Sequence, residues 1–156
     1  MAISQLAILA AQLSEKKFYP KGPFASVTLA QYGDESAWGA EVSGVNNFFG
    51  IKATAAQIVA GKATRRMTHE TLANGQYVLI PQYFANYDSL EDCFDAHASL
   101  LCTPHYLACQ QAQTPEAYCM ALQACGYATG EPGHPYGPSI WAIIVSMGLT
   151  QYDVQH

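Results

Sequence analysis

Apolar residues near the start of the chain recur at Ile3, Leu6, Ala7, Ala10 and Leu13, the spacing of one helical face. No basic segment precedes them, so the stretch reads as a first helix rather than an export signal. A second helix is predicted from Pro23, a residue suited to a first helical position, to about Trp38. Along it Phe24, Thr28, Gln31, Glu35 and Trp38 share a face, while Asp34 is turned about 100° away and suits solvent. Residues 39 to 52 contain Gly39, Gly44, Asn46, Asn47 and Gly50 and read as an irregular loop, followed by a helical turn over 54–60. Asn74-Gly75 is then a hairpin signal, because both residues tolerate positive φ. A two-residue turn pairs Leu72 with Tyr77, Glu70 with Leu79 and Thr68 with Pro81. Strand alternation sets Thr68, Glu70 and Leu72 on one face and His69 and Thr71 on the other. Pro81 has no N–H to donate and marks an edge strand.

From Ser89, a near-miss of a capping box with Asp92, the pattern is helical again. It predicts helices over 90–102, 104–112 and 115–125, with Pro104 and Pro115 near the starts of the last two and Gly126 as a stop. Residues 128 to 138 hold three Gly and three Pro and read as a loop. Ile140, Trp141, Ile143, Ile144, Val145 and Met147 are apolar almost all round, which predicts a central buried helix ended by Gly148. The expected architecture is α+β: mainly helical with one inserted β-hairpin, a single domain over 1–156 whose hairpin lobe spans about 63–87.

Composition narrows the function. With 156 residues, half of them apolar, the chain can bury one core. No window approaches the roughly 18 uninterrupted apolar residues of a membrane span, so no membrane insertion is expected. Net charge is −5, with seven Lys plus Arg, which argues against nucleic acid as a partner. Five cysteines at 93, 102, 109, 119 and 125 show no Cys-x-x-Cys spacing, and five scattered histidines offer no ligand set, so no metal and no cofactor is implied. Two disulfides with one free thiol suit an oxidising compartment; five buried thiols suit a reducing one, and the second reading is preferred.

The candidate chemistry centres on Glu35. A carboxyl near the end of an apolar segment and beside Trp38 has its charged form disfavoured, which raises its pKa. A general acid working near neutral pH needs such a shift. The same residues also fit a solvated acid at the end of a helix closed by Gly39. Asn46 and Asn47 suit side-chain-to-backbone bonds that shape the loop. Tyr83, Phe84 and Tyr87 suit either a stacking wall or packing under the hairpin. His97, on an apolar helical face with Phe94 and Leu101, reads as a structural histidine.

Glu35-Ser-Ala-Trp-Gly39, Asn46-Asn-Phe-Phe-Gly-Ile-Lys52, Thr68-His-Glu70, Tyr87-Asp-Ser89 and Gly126-Tyr-Ala-Thr129 stand in the order and rough spacing of one family. Over residues 25 to 152 the chain resembles the bacterial glucosaminidases, glycoside hydrolase family 73, which includes autolysins, flagellar muramidase-like enzymes and phage lysins. The resemblance implies a lysozyme-like fold and cleavage of β-1,4 bonds in the glycan strands of peptidoglycan. It implies Glu35 as general acid, Glu70 as the hairpin carboxyl and Tyr127 as a tyrosine near the scissile bond, these three being the catalytic candidates. Trp38, Asn47, Phe49, Tyr83 and Tyr87 are the substrate-binding candidates. The family usually continues its Tyr-Ala-Thr motif with Asp-Pro; here Gly130-Glu131-Pro132-Gly133 intervenes, which alters that loop. Glu70 also reads as a solvated strand acid, and without the resemblance Tyr127 is equally readable as a core tyrosine.

The leading expectation is an endo-β-N-acetylglucosaminidase acting in the periplasm or cell wall, secreted or delivered, although the chain shows no clear signal peptide. The alternatives are an N-acetylmuramidase, a lytic transglycosylase, or a non-catalytic glycan-binding or assembly module on the same fold. If the protein is an antibacterial effector, the producing cell needs a cognate immunity protein as partner.

Overall fold

The computed structural model describes residues 2–156. Among these described residues, seven helices and two small antiparallel sheets follow one another as α1 (Gln5–Phe18), α2 (Ala25–Ser36), α3 (Ala55–Val59), β1 (Ala63–Thr71), β2 (Tyr77–Ala85), α4 (Leu90–Leu101), α5 (Leu107–Gln110), α6 (Pro115–Ala124), β3 (Gly130–Glu131), β4 (His134–Pro135) and α7 (Tyr136–Met147). Single 3-10 turns cover Pro104–Tyr106 and Leu149–Tyr152. The fold is α+β, helical with a hairpin between α3 and α4.

The central helix is α2, which packs against α1, α6, α7 and the last 3-10 turn. It is buried continuously from Ala25 to Gly33. Its polar letters hid this in the sequence, but Ser26, Gln31 and Ser36 each bond a partner. Ser26 bonds Asp153 through both its N–H (2.7 Å) and its hydroxyl (3.0 Å). The Ser36 hydroxyl donates to the Tyr32 carbonyl, 2.6 Å away. The first helical N–H, that of Ala25, donates to Glu15 Oε2 at 3.0 Å, as does the Val154 N–H. Two carboxyls from distant parts of the chain therefore fill the N-terminal cap, where free N–H groups and the helix dipole favour negative charge.

The expectation that the helix over 140–147 is the central one is corrected. Only Tyr136, Gly137, Ile140 and Ile144 of α7 are buried, and Val145 is 60% exposed. This helix lies on the outside, against α2 and α6. In α1 the buried stripe is Ala7, Ile8, Ala10 and Ala11, so Leu6, Leu9 and Leu13 face outward. Small side chains let α1 approach α2 and α4 closely, and the larger leucines fall on the free side.

The hairpin forms where Asn74-Gly75 predicts it, but in another register. Glu70 pairs with Val78 and Thr71 with Tyr77. The loop holds three residues, Ala73 to Gly75, closed by Leu72 N–H to Gln76 O at 2.8 Å, with Gly75 at φ 83°. A three-residue loop ending in a left-handed glycine is the next most common hairpin connection. The faces survive the one-residue shift: Thr68 and Glu70 are partly buried, His69 and Thr71 exposed. At its base the hairpin is tied to the preceding loop by Ala53 N–H to Tyr83 O (2.8 Å) and Ala85 N–H to Ile51 O (3.0 Å).

Ser89 and Thr114 cap α4 and α6 through their side chains. The loop over 128–138 contains the short β3–β4 ladder, and α7 begins inside it, at Tyr136. All five cysteines are free thiols; Cys93, Cys109 and Cys119 are buried, while Cys102 and Cys125 are half-buried rather than buried as expected.

Candidate active site

Helix α2 ends abruptly, and the ending places Glu35. Ala37, Trp38 and Gly39 follow with φ of 47°, 59° and 88°. Two successive non-glycine residues in the left-handed region cost roughly 1–2 kcal/mol each. The compensating contacts are local. The Trp38 ring lies edge-on to Tyr32 at 6.2 Å and covers Gly33, where a Cβ would stand 2.4 Å from the indole. The Gly39 N–H donates to Ser36 Oγ at 2.9 Å. The predicted helix therefore stops two residues early, and Trp38 folds back on α2 instead of continuing the face of Glu35.

Glu35 stands in a cleft of about 460 Å³, lined also by Phe49, Gly50, Ile51, Lys52, Leu100, Tyr106, Tyr127 and Ala128. Its surface stays open to the cleft, but the walls displace water. That desolvation, followed by the charge of Asp34, pushes its pKa up to about 7, against a smaller opposing effect from the Tyr136 hydrogen bond. The Tyr136 hydroxyl lies 3.3 Å from Glu35 Oε1 and accepts from Gln31 Nε2 at 2.9 Å. Tyr136 stacks on Tyr127, with centroids 5.7 Å apart. Gly126, at φ 78°, turns the chain so that the Tyr127 N–H bonds the Leu122 carbonyl at 3.0 Å, fixing this ring after α6. Burial and the charge of Glu35 raise the Tyr127 phenol well above its ordinary range, so it remains a donor at the cleft.

The other wall rests on Phe49, which stacks on His97 at 4.0 Å and meets Phe94 edge-on at 5.1 Å. Asp34 opens away from this cleft into a neighbouring hollow of about 360 Å³ shared with Gly130, Glu131, His134, Tyr136 and Ser139. Tyr136 thus separates the two acids' surroundings.

Glu70 is half-buried on the hairpin, accepts from Gln82 Nε2 at 3.2 Å and lies 3.9 Å from Lys52 Nζ. It reaches the cleft rim through Lys52 but is not among the lining residues. Of the sequence candidates, Glu35, Phe49 and Tyr127 are brought together. Trp38, Asn47, Tyr83 and Tyr87 are not. Asn47 is 1% exposed and fully engaged: its Nδ2 donates to the carbonyls of Ile51 and Ala85 and its Oδ1 accepts from the Ile51 N–H. That latch leaves it nothing to offer a sugar, so its place among the substrate contacts is corrected. Tyr83 pairs with Arg65 on the hairpin face opposite Glu70, and Tyr87 packs partly buried against the core. Sequence reasoning missed Tyr136 and Lys52. It had Gln31 on the face of Glu35, one turn before it, and this spacing was the available signal. Among the described residues no group of three His, Cys, Asp or Glu could hold a metal ion, and no helix is long and apolar enough to cross a membrane.

The family model for glucosaminidase, described as mannosyl-glycoprotein endo-beta-N-acetylglucosaminidase, matches residues 12–149. The peptidoglycan hydrolase FlgJ of Salmonella typhimurium is 35% identical over 134 residues, 81% of this chain. The chain spans only 40% of that relative's length. Among solved structures, the catalytic domain of the autolysin Auto from Listeria monocytogenes superposes with a TM-score of 0.78 at 27% identity, covering 98% of this chain and 89% of that one. The C-terminally truncated glycoside hydrolase domain of Salmonella typhimurium FlgJ gives 0.68 at 30% identity, with 91% and 93% covered.

Proposed function

Because the chain belongs to the glucosaminidase family, we propose that it cleaves β-1,4 glycosidic bonds of peptidoglycan glycan strands as an endo-β-N-acetylglucosaminidase, with Glu35 as general acid. The observation that carries this is the Glu35 carboxyl, pushed up to about 7 inside the cleft. A carboxyl that titrates near neutral pH holds a proton for the departing glycosidic oxygen and can release it in the transition state. As the bond opens, positive charge grows at the anomeric carbon. The Glu35 carboxylate left behind and the hairpin carboxyl of Glu70 both oppose that charge. Glu70 stands at the rim beside Lys52, which suits activation of a water or long-range stabilisation better than direct attack on the sugar. Tyr127 lines the same space, and its hydroxyl suits the acetamido group of the substrate.

The offset position of Glu70 also favours a second reading, in which the substrate's own groups replace the second carboxyl, as in a lytic transglycosylase. Mass spectrometry of fragments from purified cell walls separates the two: anhydro ends belong only to the transglycosylase, and the position of the reducing sugar distinguishes glucosaminidase from muramidase. The test of the assignment is Glu35→Gln. Wall lysis is expected to fall by roughly 10²–10⁴-fold with the circular dichroism spectrum unchanged. A folded variant that retains most activity overturns the assignment. Such an enzyme acts where peptidoglycan lies, in the periplasm or cell wall; in an effector role it would meet a cognate immunity protein in the producing cell.

A further inference from the structure

We propose that Gln31 and Tyr136 form a two-state hydrogen-bond relay that positions the Glu35 carboxyl and serves both its protonated and its ionised form. The inference rests on the reading of Glu35 as proton donor. Three observations carry it. Tyr136 is 4% exposed, and its hydroxyl touches both Glu35 Oε1 at 3.3 Å and Gln31 Nε2 at 2.9 Å. Gln31 is completely buried, one helical turn before Glu35 on α2. The remaining polar atom of that amide, Oε1, is buried with no partner among the described residues.

A hydroxyl has one hydrogen to give and lone pairs to accept with. When Glu35 is ionised, Gln31 N–H donates to the Tyr136 oxygen, and the Tyr136 hydrogen points at the carboxylate. When Glu35 is protonated, its own O–H donates to the Tyr136 oxygen. The Tyr136 hydrogen then needs another acceptor, and Gln31 supplies one. A half-turn of the terminal amide, a torsion with two-fold freedom, exchanges N–H₂ for the unpartnered Oε1. Buried acceptors without partners are uncommon and costly, and this one lies in the same amide that contacts the tyrosine. During the reaction the Glu35 O–H turns from the Tyr136 oxygen to the glycosidic oxygen and gives up its proton as the C–O bond breaks, the bonding electrons leaving with that oxygen. The Tyr136 hydrogen swings from Gln31 to the new carboxylate as the Gln31 amide turns back to donate its N–H to the Tyr136 oxygen. The carboxylate is thereby met by a donor at the moment it forms, from a phenol already fixed between Gln31 and the Tyr127 ring.

The experiment compares Tyr136→Phe, which keeps the ring on Tyr127, and Gln31→Met, which keeps the bulk within α2, against the parent enzyme on solubilised glycan strands. Asp34, Lys52 and Tyr127, which also face or neighbour the carboxyl, are unchanged in both. Loss of the donor to the ionised form leaves Glu35 protonated to higher pH. The alkaline limb of the kcat/KM profile is therefore expected to move up by about one pH unit in Tyr136→Phe. Its kcat is expected to fall about ten- to a hundredfold at little change in KM. Gln31→Met should move both quantities in the same direction by less, and the double variant should be no worse than Tyr136→Phe alone. If Tyr136→Phe does not fold, the Gln31→Met profile carries the test. A limb that stays in place while Glu35→Gln is inactive overturns the relay and leaves the general acid standing. An active Glu35→Gln overturns the general acid itself, and the relay with it.

Discussion

Asp34 and Glu35 are adjacent acids with different surroundings, and the difference has a measurable consequence for stability. Folding raises the Glu35 pKa from its ordinary 4.5 to about 7. A carboxyl raised in this way binds its proton more tightly in the folded chain than in the open one. Its contribution to stability is whole below about pH 4.5 and is lost as pH climbs to about 7. Glu35→Gln cannot ionise and escapes that loss. Thermal melts should therefore show the variant gaining on the parent more at pH 8 than at pH 4, even as activity disappears. An equal difference at both pH values would contradict the raised pKa. Spacing along α2 was enough to place Glu35 and Gln31 together and Asp34 apart. It was not enough for Trp38, because the left-handed exit from the helix depends on an indole lying over a bare glycine, a contact that no periodicity encodes. Asn47 reads correctly from its own chemistry as a residue that bonds the backbone of its loop, and its three backbone bonds leave no room for the substrate contact that the resemblance suggested.

At the scale of elements, the helix that carries Glu35 is secured from outside itself. Its first two N–H groups meet Glu15 of α1 and Asp153 of the C-terminal tail. Burial raises the Asp153 pKa, and the two Ser26 bonds oppose that shift. Asp153→Ala removes a cap contributed from more than a hundred residues away. It is expected to destabilise the protein by about 1–2 kcal/mol, read as a lower midpoint in urea with the slope of the transition unchanged. The helices and the hairpin were legible because caps, stops and the Asn-Gly pair act locally: Ser89, Gly126, Gly148 and Gly75 each do what their residue type predicts. Hairpin register was not, since loops of two and three residues both put Gly75 at positive φ. Layering was not either. Apolar content pointed to α7 as the centre, whereas α2 takes that place with polar side chains whose partners come from elsewhere in the chain.

Across the whole molecule, the cleft wall and the core meet at His97. It is fully buried between Phe49 and Tyr127, and neither ring nitrogen has a partner among the described residues. Burial lowers its pKa to about 3. A base depressed on folding contributes its full stability above about pH 6.5, and that contribution is lost as pH falls toward 3. His97→Phe, which keeps the stack on Phe49, should narrow the difference in melting temperature between pH 7 and pH 4. A parent-like difference would show that acid sensitivity arises elsewhere. The reading of His97 as a structural histidine came from its apolar helical face. Its bare nitrogens belong to the packing of α4 against the Phe49 loop and α6, which the order of residues does not reveal.

The anchoring of α2 has a mechanical corollary. Held by carboxyls at one end and by a folded-back indole at the other, α2 keeps Glu35 fixed at one side of the cleft. The hairpin, tied at its base through Ile51, Ala53 and Ala85, stands at the rim of the cleft with Glu70 on it. With α2 fixed in this way, any change in the span between the two carboxyls on binding glycan is expected as a tilt of the hairpin.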